Sequence, residues 1–345
     1  MIVEHLYANA FGSHVGKYSK RLKVTQGGNT LSEAPLLHLK SVIINSRGVS
    51  ISADAIEACC QQGIPILFIT DAGEPYASLH ASGLTGTVLT RREQLLAYYD
   101  VRGTAIAGAV VASKIENQLA TLKYLAKNRK ESAPQLYDYL NEIALSLQDS
   151  FALVDQTIRK HESQPITTPL RDTLMGIEGY AARQYWEALA TIIPSEYRWE
   201  GRKGRGATDP VNSLLNYGYG ILYSRVEQAI ILAGLDPYAG FLHTDRAGKP
   251  SLVLDLIEEF RQIVIDRLVI GLVARHYTIE QTPDGRLSDG IRKDYAEKVL
   301  AHLDATTRYQ GARHQLGYTI QNQARMLASY LRGKTDRYIP FHATW

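Results

Sequence analysis

Two acidic residues stand one helical turn apart in the apolar segment LVLDLIEEFRQ, which begins at Leu252. Because Asp255 and Glu258 are three residues apart, a helix would place both carboxylates on one face. Acids among apolar neighbours are costly unless they accept hydrogen bonds, pair with a cation such as Arg261, or bind a metal ion. The segment therefore predicts a buried ion pair or a metal site, and the spacing does not distinguish which acid would be the ligand.

A glutamate and a histidine elsewhere in the chain could complete such a site. Glu178 lies in MGIEGYAARQYW between Gly176 and Gly179. Each glycine costs about 1 kcal/mol in a helix relative to alanine, and close approach of another backbone or a ligand would justify that cost. His243 lies in the loop DPYAGFLHTDRAGKPSL, where functional side chains are often displayed. An exposed helical glutamate and an ordinary loop histidine are the structural alternatives.

Glu178, His243 and one of the two acids would form a mixed oxygen and nitrogen donor set. Carboxylates suit Mg²⁺, and a single imidazole shifts the preference toward Mn²⁺. Such an ion could neutralise a phosphodiester, activate water or a 3′-hydroxyl, and stabilise the leaving oxygen. Structural zinc is disfavoured, since no cysteine lies near these segments. Lys249 could hold a phosphate nearby, and Arg261 could support the acids.

Basic and aromatic side chains around these segments are candidates for contacting DNA. The loop YRWEGRKGRG at 197–206 carries positive charge that suits phosphate oxygens, with a solvated connector as the alternative. Aromatic rings in the helices could stack on splayed bases, although helix packing explains Trp186 and Tyr223 equally well. The predicted DNA-contacting residues are Tyr180, Arg183, Tyr185, Arg202, Lys203, Arg205, Asn216, Tyr217 and Tyr223.

The elements that must position these residues change character along the chain. Short β-type runs come first, with a helix in SADAIEACCQQG for which Ser52 is the predicted N-cap and Gly63 the stop. From about Leu89 onward, helical periodicity dominates. This order favours an α+β fold, with an N-terminal β-rich domain at 1–98 and a larger all-α catalytic domain at 104–345. The predicted strands are KRLKVTQG, HLKSVIINS, IPILFIT and YASLHAS.

Composition excludes several classes of protein. With 45% hydrophobic and 21% charged residues, the chain is neither disordered nor collagen-like. A net charge of +3 requires any nucleic-acid site to come from local clustering. Cys59 and Cys60 are adjacent and are expected to be reduced structural thiols. No apolar run is long enough to span a bilayer, and MIVEHLYANAFGS does not resemble a secretion signal, so a cytoplasmic, soluble protein is expected.

Several strings together resemble the CRISPR-associated adaptation integrase family, the nuclease that inserts new spacers into CRISPR arrays. They are RREQL, KIENQ at 114–118, GIEGYAARQYW, DPVNSLLNYGYGILY, GLDPYAGFLH and LVLDLIEEFR, in the family's order and spacing. The resemblance implies that Glu178, His243 and Glu258 are the metal ligands. It makes Asp255 a supporting or alternative ligand. It assigns no role to the residues after Gly333.

The resemblance also implies an assembly and a reaction. The expected assembly is a homodimer joined largely through the β-rich domains, with two dimers around a small ferredoxin-like partner nuclease. The expected substrates are double-stranded and branched DNA. A 3′-hydroxyl of a pre-spacer would attack a phosphodiester at the edge of a CRISPR repeat, and the protein alone would act as a metal-dependent DNase. A non-catalytic nucleic-acid scaffold and a phosphoesterase for small substrates are the competing hypotheses.

Overall fold

The computed structural model describes residues 4–79, 88–127, 129–204, 206–243, 246–309 and 311–343. A strand-rich N-terminal region precedes a helical one, so the predicted α+β class is confirmed. Contacts divide the chain into two compact units. Unit 1 comprises Met1–Leu84, Lys203–Ser224 and Thr278–Ala301, and unit 2 comprises Thr85–Arg202, Arg225–Tyr277 and His302–Trp345. Two later segments thus group with the strands, and the domain limits 1–98 and 104–345 stay a prediction.

Short strands form the first part of unit 1. In chain order they are β1 (His5–Ala8), β2 (His14–Tyr18), β3 (Arg21–Gln26), β4 (Asn29–Pro35), β5 (Ser41–Ile44), β6 (Ser50–Ile51), β7 (Ile66–Ile69) and β8 (Pro75–Leu79). In the described part of the chain, one sheet has the order β1-β5-β7-β8 and a second the order β4-β3-β2-β6. The first three strands of the former are parallel, and β8 pairs with β7 in the antiparallel sense.

The predicted strands form where apolar side chains recur. In β3, Leu22 and Val24 alternate into the core, whereas all four residues of β5 are buried because parallel neighbours flank the strand on both sides. The four predicted runs correspond to β3, β5, β7 and β8, with residues 80–82 of the last run outside the described ranges.

The predicted helix near the two cysteines is α1 (Ala53–Gln61). It starts after Ser52, although that hydroxyl makes no capping bond, and Gly63 follows with a φ of +67°. Both cysteines are free, and burial raises the pKa of Cys59 to about 11. Cys59 is buried as expected, whereas Cys60 is half-buried, and their reduced state stays a prediction.

Helices dominate the rest of the chain. They are α2 (Val88–Ala97), α3 (Val101–Lys127), α4 (Pro134–His161), α5 (Thr168–Ala190), α6 (Pro210–Leu232), α7 (Ser251–Ile257), α8 (Arg267–Val273), α9 (Asp289–Asp304) and α10 (Leu316–Leu331). A hairpin of β9 (Thr306–Tyr309) and β10 (Ala312–Gln315) interrupts them, so the second half is not purely helical. The sequence from Arg313 reads as helical, but pairing with β9 holds its first residues extended.

A sharp corner separates α2 from α3, where the sequence predicts one helical stretch. The two helices are bent by 85°. Asp100 accepts the backbone N–H of Arg102 at 2.8 Å and caps α3, while a side chain at Gly103 would lie 2.7 Å from the carbonyl oxygen of Ala97. Within the described ranges no single helix is long and apolar enough to cross a membrane. Among the helices that the structure describes, this one bent pair passes the same test, by length and composition alone.

In unit 2, α3 is the central helix. It packs against α4, α5, α7 and a π-helical turn, Gln262–Asp266, that follows α7. The sequence predicts one continuous helix over 251–276, whereas the structure has α7, a turn, the π-helical segment and α8. Such π turns often occur at functional sites.

The 338–343 segment is fastened beneath α3 and α7. The ring of Phe341 is fully buried and stacks on Phe260 with centroids 5.2 Å apart. The side chain of Asn117 on α3 donates to the carbonyl oxygen of Phe341 and accepts the N–H of Ala343. The carboxylate of Glu259 accepts the N–H of Phe341 at 2.8 Å. Because Glu259 adjoins Glu258, this segment braces the backbone on which Glu258 is carried.

We expect alanine to have opposite effects at two helical glycines. In unit 1, a Cβ at Gly220 would lie 1.4 Å from the carbonyl oxygen of Gly73, so Gly220→Ala should destabilise the protein by roughly 1–3 kcal/mol or more. At Gly176 a Cβ would meet nothing within 4 Å, so Gly176→Ala should stabilise α5 by about 1 kcal/mol. Chemical denaturation of both variants measures these changes, and equal effects would contradict the packing described.

The fastening of the 338–343 segment gives a second prediction. Phe341→Ala removes a buried ring and should lower the free energy of unfolding by about 3–5 kcal/mol. The neighbouring His342 is exposed, so His342→Ala is the matched control and should change stability by less than about 0.5 kcal/mol. Urea denaturation of the two variants is the measurement. A Phe341→Ala variant as stable as the wild type would show that the segment does not brace α3 and α7.

Candidate metal centre

A buried ammonium group lies between two carboxylates in unit 2. Nζ of Lys114 on α3 contacts Oε1 of Glu178 on α5 and lies 2.8 Å from Oε2 of Glu258, the residue that follows α7. Oε1 of Glu258 lies 3.2 Å from Nη1 of Arg261. The side chains of Lys114, Glu178 and Glu258 are 13%, 11% and 3% exposed, so water contributes little to stabilising their charges.

Helical spacing places these charges on buried faces. Glu178 shares its face of α5 with Leu174 and Ala181, both fully buried. One turn before Lys114 on α3 is Val110, which is 2% exposed. Residues one turn apart share a helix face, so each charged side chain is directed toward the packed interior. A surface position for Glu178, the structural alternative, is therefore excluded.

The glycines beside Glu178 border open space. Gly176 and Gly179 are exposed, and a Cβ at either would meet nothing within 4 Å. The expected close approach of another backbone is therefore not found among the described residues. At these two glycines the exposed face of α5 has no side chains, and this bare stretch lies next to the buried carboxylate of Glu178.

The charges stabilise one another. Burial alone would raise the pKa of Glu258, but the positive charges of Arg261 and Lys114 outweigh it and hold that pKa below its ordinary value. Burial would likewise lower the pKa of Lys114, and the carboxylates of Glu258 and Glu178 raise it instead. Lys114 and Glu258 therefore stay ionised at neutral pH.

Asp255 holds the loop that carries His243. Its carboxylate accepts the backbone N–H groups of Phe241, Leu242 and His243 at 2.6, 3.0 and 3.0 Å. Its Oδ1 also lies 2.7 Å from Nδ1 of the His243 ring. Since a carboxylate only accepts, Nδ1 carries the proton of a neutral ring and the lone pair is on Nε2. That tautomer is the one in which Nε2 can bind a metal ion.

The two acids of the LVLDLIEEFRQ segment thus have different surroundings. Asp255 is 1% exposed, and four donors surround its oxygens. The carboxylate of Glu258 contacts two cationic side chains, those of Lys114 and Arg261. A carboxylate surrounded by cations can exchange one of them for a metal ion, whereas one occupied by backbone N–H groups cannot without releasing the loop. The arrangement therefore favours Glu258 over Asp255 as a ligand.

The donor set has the chemistry of a divalent cation site. Two carboxylates and a histidine with Nε2 available suit Mg²⁺ or Mn²⁺, and the ammonium of Lys114 already occupies a cationic position between the acids. Among the described residues, Glu178, His243 and Glu258 do not bring ligand atoms within 4.8 Å of one another as one group. The residues fit an ion chemically, and the ammonium of Lys114 lies between the two carboxylates that would hold it.

Several predicted DNA-contacting side chains of unit 2 are exposed. Tyr180 is 51% exposed and Arg183 is also exposed, both on α5 beyond Glu178. The guanidinium of Arg202 lies over the ring of Trp186, 5.9 Å from its centroid. Lys249 is half-buried in the turn that leads into α7. These positions leave Tyr180 and Arg183 free to meet a ligand passing over α5.

Two predicted contacts are wrong because the rings are core residues. Tyr185 is fully buried and donates its hydroxyl to Asp266 at 3.0 Å. Tyr217 is 1% exposed in unit 1, where its hydroxyl contacts that of Tyr7 and accepts from Asn45 at 2.8 Å. Neither ring can stack on a base in this structure. A tyrosine side chain can pack in the core or lie at the surface of an amphipathic helix, so the composition could not distinguish buried tyrosines from exposed ones.

The remaining candidates lie in unit 1 or outside the described ranges. Lys203 is exposed, and Asn216 donates its side-chain amide to the carbonyl oxygen of Gly204 at 2.9 Å. Tyr223 is half-buried on α6. Arg205 lies outside the described residues. A role in binding DNA stays a prediction for the side chains of Lys203, Asn216 and Tyr223.

Lys114 is the residue whose importance to the site was not predicted. The string KIENQ contributes to the family resemblance, but its lysine is not among the predicted site residues. The available signal was a cation following residues 103–113, a helical stretch without any charge. A buried lysine requires a buried acid as its partner, and Glu178 and Glu258 were already predicted to be site residues.

Comparison with known proteins agrees with the resemblance. The family model described as CRISPR associated protein Cas1 matches residues 6–300. A curated relative, "CRISPR-associated endonuclease Cas1 1" of Archaeoglobus fulgidus, is 37% identical over 353 residues, covering 99% of each chain.

Solved structures share the fold at lower identity. One described as "Casposase bound to integration product" has a TM-score of 0.80 at 22% identity and covers 98% of this chain and 93% of its own. Another, described as "Cas6-RT-Cas1--Cas2 complex", has a TM-score of 0.72 at 20% identity and covers 99% of this chain and 36% of its own. At these identities the likeness shows the fold alone.

The family match spans most of the chain, and the curated relative aligns over almost its whole length. Both agree with the family that the sequence strings resemble. The expectation of an enzyme is confirmed with them. The chain belongs to the Cas1 family of CRISPR-associated endonucleases.

Proposed function

We propose that this chain is a divalent-metal-dependent DNA endonuclease and integrase that inserts pre-spacer DNA into a CRISPR array. The single observation that carries the proposal is the buried pair of carboxylates, Glu178 and Glu258, held around a cation beside a histidine fixed by Asp255. Membership of a family of endonucleases supports a nucleic-acid substrate. It also argues against a non-catalytic scaffold and against a phosphoesterase for small substrates.

In this proposal Glu178, Glu258 and Nε2 of His243 hold one Mg²⁺ or Mn²⁺ ion. The ion would supply Lewis acidity, by which it neutralises a phosphodiester and favours ionisation of an attacking hydroxyl. Asp255 keeps the proton of His243 on Nδ1 and holds the loop in place. Arg261 balances the charge of Glu258 from the other side.

The substrate would pass over the exposed face of α5. Gly176 and Gly179 leave space there, and Tyr180 and Arg183 on the same face could contact bases and phosphates. The reaction is attack by the 3′-hydroxyl of a pre-spacer on a phosphodiester at the edge of a repeat. Each attack joins the 3′-oxygen to the phosphorus and breaks the original P–O bond, which releases the old strand end as a hydroxyl. Without a 3′-hydroxyl in position, water attacks the phosphodiester instead, and DNA is cleaved.

The proposal extends to the assembly and its location. We infer a homodimer that acts in the cytoplasm on double-stranded and branched DNA, together with a small ferredoxin-like partner. Relatives of the same fold are described as a casposase bound to an integration product and as a complex with Cas2, and these descriptions support joining chemistry and a partner protein.

Glu178→Gln should abolish strand transfer while leaving the fold intact. The amide cannot ligate as a carboxylate does, so transfer of a labelled 3′-hydroxyl strand into branched DNA with Mn²⁺ should fall by about 10²-fold or more. Glu187→Gln is the matched control, because Glu187 is an exposed acid on the same helix. Full activity in Glu178→Gln, or wild-type activity undiminished by EDTA, would overturn the proposed function.

Asp255→Asn should weaken metal binding rather than remove a ligand. An asparagine has one oxygen to accept the donors that Asp255 now satisfies, so the His243 loop should loosen and the apparent affinity for Mn²⁺ should fall about 10–100-fold. Raising the Mn²⁺ concentration should therefore restore strand transfer in Asp255→Asn but not in His243→Ala. If excess Mn²⁺ restores neither or both, Asp255 and His243 do not have the separate roles described.

A further inference from the structure

The ammonium of Lys114 occupies the gap that a metal ion needs. It contacts Glu178 and lies 2.8 Å from Glu258, the two carboxylates that the proposed function assigns to the metal, and the inference below rests on that assignment. A divalent ion and an ammonium group cannot both lie between these oxygens. Lys114 is therefore either a fixed structural ion pair or an occupant that leaves when the metal arrives.

The charge balance favours an occupant that leaves. Lys114 and Arg261 carry two positive charges, and Glu178, Glu258 and the Asp255 carboxylate on His243 carry three negative charges, so the group has a net charge of −1. A divalent ion beside the ammonium would leave one excess positive charge in a site that is almost closed to water, whereas a divalent ion in place of the ammonium leaves the group neutral. Uncompensated charge in such a place is strongly unfavourable, and like charges in contact repel.

The side chain of Lys114 is able to move. Its ammonium is held only by carboxylates in the contacts described, at the end of a flexible four-carbon stem, and 13% of the side chain is exposed. A guanidinium held by a planar pair of bonds would be more difficult to release. The phosphates of a DNA strand over α5 would offer the displaced ammonium a new partner.

We propose that Lys114 is a built-in counter-ion that competes with the divalent metal for Glu178 and Glu258, so that the centre fills readily only when DNA is present. In the free protein the ammonium occupies the gap between Glu178 and Glu258 and offsets part of their negative charge. When DNA arrives, its phosphates accept the displaced ammonium, and the metal takes its place. Since coupling between two ligands is reciprocal, the metal then strengthens DNA binding by the same factor.

The test measures Mn²⁺ binding to the full chain, by titration against the electron paramagnetic resonance signal of free Mn²⁺, without any reaction. Lys114→Met has a side chain of similar length without the charge. If the gap between the carboxylates is open about one tenth of the time or less in the wild type, Lys114→Met without DNA should bind Mn²⁺ roughly tenfold more tightly or better. Lys123→Met is the matched control, an exposed lysine on the same helix, and should bind as the wild type does.

Addition of a short DNA duplex completes the test. DNA should increase the Mn²⁺ affinity of the wild type and of Lys123→Met, but should increase that of Lys114→Met much less, because nothing remains to be displaced. An Mn²⁺ affinity in Lys114→Met equal to or weaker than that of the wild type, or an equal gain from DNA in both, would overturn the inference. The ammonium would then be a fixed structural partner.

A second variant covers a failure of Lys114→Met to fold. Lys114→Arg keeps the positive charge and holds carboxylates with a planar pair of donors, so it should bind Mn²⁺ more weakly than the wild type. Equal or tighter binding in Lys114→Arg would count against displacement. If the wild type and every Lys114 variant bind no Mn²⁺ above the level of Glu178→Gln, the proposed metal centre itself fails. A metal that binds normally but is unaffected by Lys114 contradicts only the present inference.

Discussion

The contact on which the site depends is the ammonium of Lys114 between the carboxylates of Glu178 and Glu258. These residues come from three separate elements, α3, α5 and the end of α7. An isolated charge at such burial would be destabilising, so each of the three side chains is stabilised by an opposite charge beside it. The same requirement that positions the side chains also concentrates charge at one buried point, where a divalent ion could be stabilised.

Polar groups around this contact keep its geometry fixed. Asp255 satisfies the backbone of the 241–243 loop and orients the ring of His243. On the opposite side, Glu259 and Asn117 fasten the 338–343 segment, which supports the turn that carries Glu258. Burial raises the pKa of Glu259 to about 7 even though three groups donate hydrogen bonds to it. Two neighbouring acids in one turn thus have separate roles: Glu258 belongs to the site, and Glu259 stabilises the fold.

The sequence predicted the strands, most helices and the acidic pair Asp255 and Glu258 in one helical segment, because these depend on local spacing. Periodicity placed Glu178 and Glu258 on helical segments, and the family strings selected Glu258 over Asp255. The roles of Lys114 and of the 338–343 segment depend on contacts between residues far apart in the chain, which spacing does not encode. The same limit explains Tyr185 and Tyr217, whose rings proved to be core residues. The break after α7 depends on packing against α3 rather than on any local breaker.

The most direct measurement of the central claim is anomalous diffraction from crystals of the protein grown with Mn²⁺ and a DNA strand. We expect an anomalous peak bounded by the carboxylates of Glu178 and Glu258 and by Nε2 of His243. We also expect Nζ of Lys114 to have withdrawn from between the two acids. A peak at another position, or no peak in the presence of bound DNA with Lys114 still bridging the acids, would contradict this metal centre.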